Sequence, residues 1–133
     1  MNPNITNTAA LVGRILLAIL FITSGWGKIG GFDGTAAYMT AKGLPMAQVL
    51  LPLTILLELG GGILLVVGFK ARWAALALFL FLIPTTLIFH AFWGIDPKEA
   101  GMQQINFLKN VSIAGGMLMV FAFGPGAYSL DRK

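Results

Sequence analysis

Four long apolar stretches constrain the fold of this chain more than any other feature of the sequence. A hydrocarbon core about 30 Å thick is crossed by a helix of about 20 mostly apolar residues, and each stretch is close to that length. Backbone polar groups in lipid must be satisfied within the protein, which favours helices. The sequence therefore predicts an all-α integral membrane protein, a four-helix transmembrane bundle that forms one domain over residues 1–133, with spans at about residues 9–27, 47–69, 73–93 and 105–123.

Composition also indicates that lipid is the solvent for most of the surface. Of the 133 residues, 57% are hydrophobic and 11% are charged, whereas a soluble domain carries about 25% charged residues. The basic residues are scattered, so the net charge of +4 indicates membrane topology and not nucleic-acid binding. With no cysteine and one histidine, the chain offers no thiol pair, iron–sulfur cluster or bis-histidine haem site. We expect no intrinsic cofactor and no metal.

The connections between the stretches predict how the spans are arranged. Lys70-Ala71-Arg72 is so short that the second and third spans must form a tight antiparallel hairpin. Between the first two spans, Asp33 is expected to cap a short interfacial helix over residues 35–42. Residues 94–104 are predicted to form a solvated loop. An even number of spans places both termini beside the hairpin cations, and the excess of positive charge there, which includes Lys133, predicts that this side is cytoplasmic.

A few ionisable side chains fall within the predicted spans, where each costs about 2.5 to 3.5 kcal/mol to insert. Such residues normally face the bundle and have a partner. Glu58 lies about 15 Å from the outer end of its span at 1.5 Å per residue, within reach of Lys28 or Lys109. Polar residues on the other helices lie three or four positions apart, on one face. We therefore predict an outward-opening pocket with a polar cluster of Ser24, Lys28, Glu58, His90, Gln104, Asn106, Lys109 and Asn110.

Simpler interpretations exist for the same residues. Glu58 paired with Lys109 or Arg14 would only fix the register of the helices. His90 would hydrogen-bond water or headgroups at the interface, and Lys28 would extend to water. For Arg14, a structural or snorkelling role is favoured over ligand binding.

Two glycine runs lie inside the predicted spans, at residues 60–62 and 115–116. They are not phosphate-binding loops, because the triple glycine is followed by apolar residues without the strand, lysine or polar turn of such loops. Glycines in membrane helices let backbones approach closely. We expect both runs to be helix-packing sites.

Six segments, taken in order, resemble the bacterial DoxX family. The resemblance covers about residues 10–131 and rests on Gly13-Arg14-Ile15-Leu16-Leu17, Ser24-Gly25-Trp26-Gly27-Lys28, Glu58-Leu59-Gly60-Gly61-Gly62, Phe89-His90, Asn106-Phe107-Leu108-Lys109-Asn110 and Gly124-Pro125-Gly126. It implies a four-helix protein of the bacterial inner membrane. Family members are often labelled oxidoreductases, because they resemble a membrane subunit of thiosulfate:quinone oxidoreductase and because relatives belong to a membrane complex that protects against oxidative stress. The matching polar positions are Arg14, Ser24, Lys28, Glu58, His90, Lys109 and Asn110.

The leading hypothesis is a membrane component of a redox or stress-response complex that binds a quinone or a similar lipophilic ligand. Lys109 or His90 would donate a hydrogen bond to a quinone carbonyl, and Glu58 would relay a proton. The alternatives are a non-enzymatic scaffold that recruits partners and an oligomeric transporter of a small solute. The expected partners are membrane lipid, redox proteins and further copies of the chain, and not nucleic acid.

Overall fold

The computed structural model describes residues 1–132, which form five α-helices and no strand. The helices are α1 (Pro3–Gly30), α2 (Phe32–Ala41), α3 (Ala47–Val67), α4 (Ala71–Phe89) and α5 (Pro97–Phe123). All except α2 are long and apolar enough to cross a membrane. The predicted all-α, four-helix membrane bundle is therefore confirmed, and α2 is the short helix between the first two spans.

Two of the helices begin earlier than the apolar stretches do. Helix α1 begins at Pro3 and α5 begins at Pro97, six and eight residues ahead of the predicted spans. The residue before each proline, Asn2 or Asp96, accepts a backbone hydrogen bond from the first turn through its side chain. A capping side chain followed by proline starts a helix. The prediction of a solvated loop over residues 94–104 is therefore wrong beyond Asp96, because the residues from Pro97 onward are helical.

Smaller differences occur at other helix ends. Helix α3 ends at Val67 because Gly68 adopts a left-handed conformation with φ 70°. Helix α4 ends at Phe89, with His90 at its C-cap, four residues short of the predicted span end. Helix α2 begins one residue before Asp33, which lies in the first turn and makes no side-chain cap. The predicted capping role of Asp33 is therefore wrong.

The bundle consists of two antiparallel pairs, α1 with α3 and α4 with α5, connected through the α3–α4 hairpin. The main apolar core lies at the end of the bundle nearest that hairpin, here called the hairpin end. It comprises Ala18, Phe21, Leu65, Ala71, Ala74, Ala75, Leu78, Leu82, Met117 and Val120. At the opposite end, here called the α2 end, a smaller core of Ala36, Met39, Ala47 and Leu51 holds α2 against α3.

Close helix packing depends on particular glycines within the two runs. A Cβ atom on Gly62 would lie 2.7 Å from Cγ1 of Ile22 on α1, and one on Gly116 would lie 2.9 Å from Cδ2 of Leu17. Gly60 and Gly115, in the same runs, face open space, because a Cβ atom on either would have nothing within 4 Å. The packing role predicted for the runs therefore applies to some of their members only.

The residues that follow α5, 124–132, are here called the C-terminal segment, and they pack against the hairpin end. The backbone N–H groups of Leu130 and Asp131 donate to carbonyl groups at the C-terminus of α3, at 3.0 and 2.9 Å. The Asp131 carboxylate accepts from the N–H groups of Lys70 and Ala71, both at 2.9 Å. Helix termini leave such groups without intrahelical partners. The segment thus caps the end of α3 and the start of α4 together.

Arg14 is buried at the same end, with 2% of its surface exposed. Its guanidinium donates to the carbonyl oxygens of Leu65, Val66 and Tyr128, at 2.7, 3.1 and 2.5 Å. The snorkelling expectation for Arg14 is wrong, because the unpaired carbonyl groups at the C-terminus of α3 offer the guanidinium partners inside the protein. Its role is structural and joins α1, α3 and the C-terminal segment.

Candidate functional site

A cavity of about 520 Å³ lies at the α2 end, and all five helices contribute to its lining. This volume is within the range of about 300 to 1,000 Å³ that is typical of small-molecule sites. Of the eight residues predicted for the polar cluster, six line the cavity: Ser24, Lys28, Glu58, His90, Lys109 and Asn110. Two do not line it, Gln104 and Asn106. Helix α5 therefore turns only part of its predicted polar face toward the cavity.

Most of the cavity wall is apolar. The apolar side chains come from α1, α2, α3 and α4 and include Phe21, Met39, Leu50, Phe81, Ile88 and Phe89. A mostly apolar wall with a few converging polar groups is the usual composition of a ligand pocket. The cavity can therefore surround the body of a lipophilic molecule and present polar groups to one part of it.

Helix α2 covers one side of the cavity. None of its residues was among those predicted for the site. Thr35, Tyr38 and Met39 line the cavity, and the Tyr38 ring stacks on Phe89 at the end of α4 with 5.5 Å between ring centroids. Tyr38 and Met39 follow Thr35 by three and four positions, which places both on the same face of a helix as Thr35. That spacing is the signal in the sequence that could have assigned α2 to the site.

A partly buried ion pair forms part of the polar cluster. Nζ of Lys28 lies 2.7 Å from Oε1 of Glu58, and only 4% of the Glu58 side chain is exposed. The contact is electrostatic and does not have the alignment of a hydrogen bond. The Lys28 ammonium also donates to Oγ of Ser24 at 2.6 Å. Of the three partners considered for Glu58, the structure selects Lys28, and neither Lys109 nor Arg14 forms this pair.

Gly25 brings the two halves of the ion pair together. A Cβ atom on Gly25 would lie 2.8 Å from Cγ and 3.2 Å from the backbone nitrogen of Leu59. With no side chain there, α3 approaches α1 closely beside Glu58. Ser24 and Lys28 are four residues apart on α1 and therefore meet on one face. The segment from Ser24 to Lys28 thus supplies the cation, its hydroxyl partner and the space for α3.

Two further polar contacts join α4 to α5 near the cavity. Nδ1 of His90 lies 3.0 Å from Oε1 of Gln103, and Nδ2 of Asn110 donates to Oγ1 of Thr86 at 3.1 Å. If Gln103 accepts the hydrogen bond, Nδ1 of His90 carries the hydrogen, and Nε2 of the neutral ring is an acceptor. His90 is thus bonded within the protein and offers an acceptor to a ligand.

Lys109 differs from the other charged residues of the cavity. It lines the cavity but is exposed, and within residues 1–132 it forms neither an ion pair nor a hydrogen bond. Over the same residues, no group of three or more His, Asp or Glu side chains is arranged to hold a metal ion. The polar cluster therefore offers one paired cation, one unpaired cation and one buried carboxylate.

Four spanning helices that enclose a mostly apolar cavity with a partly buried ion pair define a multi-pass membrane protein with a pocket of small-molecule size. The DoxX family profile matches residues 9–91, more than half of the sequence. The chain belongs to the DoxX family, as its resemblance to that family predicted.

Two relatives from Escherichia coli strain K12 are similar over nearly their whole length. The chain is 46% identical to inner membrane protein YqjF over 126 residues, covering 95% of this chain and 92% of that protein. It is 40% identical to inner membrane protein YphA over 123 residues, covering 92% and 88%. These similarities and the four apolar helices identify a multi-pass protein of the inner membrane.

A more distant similarity extends to eukaryotes. The surfeit locus protein 4 homolog of Schizosaccharomyces pombe is 29% identical over 126 residues, which cover 92% of this chain but 36% of that protein. No solved structure is significantly similar to this chain.

Proposed function

We propose that this protein binds a lipophilic molecule with a polar head group, for which a quinone is the candidate, and that it serves as the membrane component of a redox or oxidative-stress complex. The observation that carries the proposal is the buried Glu58 carboxylate, paired with the partly exposed Lys28 in the wall of an otherwise largely apolar cavity. Ionisable groups within a membrane bundle are costly and commonly mark functional sites. The family resemblance supports the redox part of the proposal.

The lining residues have complementary roles in this proposal. Lys109, which forms no ion pair or hydrogen bond within residues 1–132, would hold a carbonyl oxygen of the head group by donating a hydrogen bond. His90 donates to Gln103 in the tautomer described above, so its Nε2 would accept from a hydroxyl group. The apolar wall would surround the rest of the molecule. Glu58, held by Lys28, is the group that would accept or return a proton inside the cavity.

Electron transfer would require a second protein. A bound quinone supplies two-electron chemistry coupled to protons. The chain itself has no cysteine and a single histidine, so it carries no ligand set for an iron–sulfur cluster or a bis-histidine haem. In this proposal the electrons come from a partner's cofactor, and this chain supplies the binding cavity and the proton-carrying groups.

Binding of a short-chain quinone tests the proposal. With decylubiquinone as the probe and purified protein in detergent, binding can be followed through quenching of tryptophan fluorescence. Glu58→Gln removes the buried carboxylate and Lys109→Met removes the unpaired donor. Each is expected to weaken binding about tenfold, because hydrogen bonds to charged groups contribute about 1.5 to 3 kcal/mol.

Two matched variants control for the loss of charge alone. Glu99→Gln and Lys98→Met change exposed residues in the first turn of α5 that do not line the cavity, and binding should be unchanged. Unchanged binding in both cavity variants, with helical content retained, would contradict the proposal. If Glu58→Gln lowered only the thermal stability, the second candidate would be favoured, a scaffold in which the Lys28–Glu58 pair holds α1 to α3.

A further inference from the structure

The charges that line the cavity do not balance. Among the described lining residues, Glu58 is the only acidic one, whereas Lys28 and Lys109 are both basic. His90 and Tyr38 also line the cavity and add nothing to the formal charge. The Lys28–Glu58 pair at 2.7 Å cancels one charge of each sign. The cavity is therefore left with one net positive charge.

The excess charge is located on Lys109. Its side chain has no acidic partner within residues 1–132, and it is exposed where it borders the cavity. An ammonium group beside an apolar wall gains free energy from a counter-charge that arrives with the ligand. Glu58 is nine-tenths or more buried and already faces Lys28, so it does not supply this counter-charge.

We infer that the ligand is a lipophilic anion, with a carboxylate or an acidic hydroxyl on an apolar body, whose negative charge pairs with Lys109. This inference rests on the proposed lipophilic-ligand function and specifies the charge of the head group. The apolar walls from Phe21, Phe81 and Ile88 would contact the body of the ligand, and Lys109 would contact its head. A neutral quinone would accept a hydrogen bond from the Lys109 ammonium but would leave its charge uncompensated, whereas an anionic head group would do both.

A matched pair of probes differing in the head group tests the inference. Radiolabelled oleate, and unlabelled oleyl alcohol as its competitor, can be titrated against the full-length protein by scintillation proximity. For the wild-type protein, oleate should bind more tightly than the alcohol. Lys109→Gln should weaken oleate binding about fivefold, as expected for an ion pair that is not fully buried, and should change alcohol binding by less than about twofold.

Two variants and four outcomes complete the test. Lys109→Arg should retain oleate affinity because it retains the charge, and Lys98→Gln, which removes an exposed charge outside the cavity, should have no effect. If Lys109→Gln weakened the binding of both probes equally, or did not weaken oleate binding, the inference would be overturned. The proposed lipophilic-ligand function would not be affected by either result. If neither probe bound the wild-type protein while decylubiquinone did, the inference would be overturned and the proposed quinone function would stand; if decylubiquinone also failed to bind, both would be overturned.

Discussion

At the scale of single residues, two buried charged side chains have different environments. Arg14 at the hairpin end donates to three backbone carbonyl oxygens, so its hydrogen bonds are made within the protein. Glu58 at the α2 end contacts one lysine in the wall of the cavity. A group satisfied by backbone atoms contributes to stability, whereas an ionisable group at the wall of a cavity can interact with a ligand. The structure thus separates a structural charge from a candidate functional one.

Replacing Arg14 should destabilise the bundle. Arg14→Met would leave the carbonyl groups of Leu65, Val66 and Tyr128 without their donor, and a buried unsatisfied group costs about 1 to 3 kcal/mol. We expect the free energy of unfolding, measured by SDS titration in mixed micelles, to fall by about 2 to 3 kcal/mol. Arg72→Met removes an exposed arginine and should change it by less than about 0.5 kcal/mol. Equal losses in the two variants would refute the structural role of Arg14.

At the scale of helices, sequence reasoning predicted the spans well and the helix starts poorly. Apolar length alone located the four spanning helices, because lipid imposes that length. It could not locate the start of α5, where Asp96 and Pro97 begin a helix over polar residues. That information is in a two-residue capping pattern and not in hydropathy. A search for caps upstream of each span would have found both early starts.

Gly25 and Gly27 provide a matched test of how α1 packs against α3. Gly25→Ala would place a Cβ atom 2.8 Å from a side-chain atom and 3.2 Å from a backbone atom of Leu59. Overpacking of this kind costs about 1 to 3 kcal/mol, and it would also push Glu58 away from Lys28. Gly27→Ala meets nothing within 4 Å and should leave the stability unchanged or raised. Unfolding of both variants in mixed micelles measures the difference, and similar stabilities would argue against close packing at Gly25.

At the scale of the whole molecule, the basic residues predict an orientation in the membrane. Lys70, Arg72 and Arg132 lie on the hairpin side of the bundle, and Lys133, which the sequence places with them, is outside the described residues. The positive-inside rule predicts that this side is cytoplasmic. The cavity would then open toward the periplasmic side, where its ligand or partner would have access.

Because the chain has no cysteine, single substitutions can test this orientation. In spheroplasts, a membrane-impermeant maleimide should label Lys98→Cys at the α2 end. Arg132→Cys at the hairpin end should be labelled only after permeabilisation, since both positions are exposed in the protein and only the membrane would separate them. The unsubstituted chain should not be labelled. Labelling in the reverse order would place the termini outside the cytoplasm.

Most residues of the candidate site could be predicted from the sequence, but the lysine that pairs with Glu58 could not. Depth along the predicted spans, at about 1.5 Å per residue, placed Lys28 and Lys109 within reach of Glu58. Which lysine pairs with Glu58 depends on the distance between α1 and α3, and that distance is set by contacts at Gly25. Such contacts join residues far apart in the sequence. Spacing within a single helix therefore could not have assigned the ion pair.

The capping of the hairpin end has a consequence for the order of assembly. Synthesis proceeds from the N-terminus, so α3, α4 and Arg14 exist before Tyr128 and Asp131 are made. Until then, the carbonyl groups of Val67 and Gly68 and the N–H groups of Lys70 and Ala71 must be hydrated or bonded to headgroups. The α3–α4 hairpin thus lacks these caps until the segment around Asp131 has been made, so the caps are later contacts than the packing of α1 against α3.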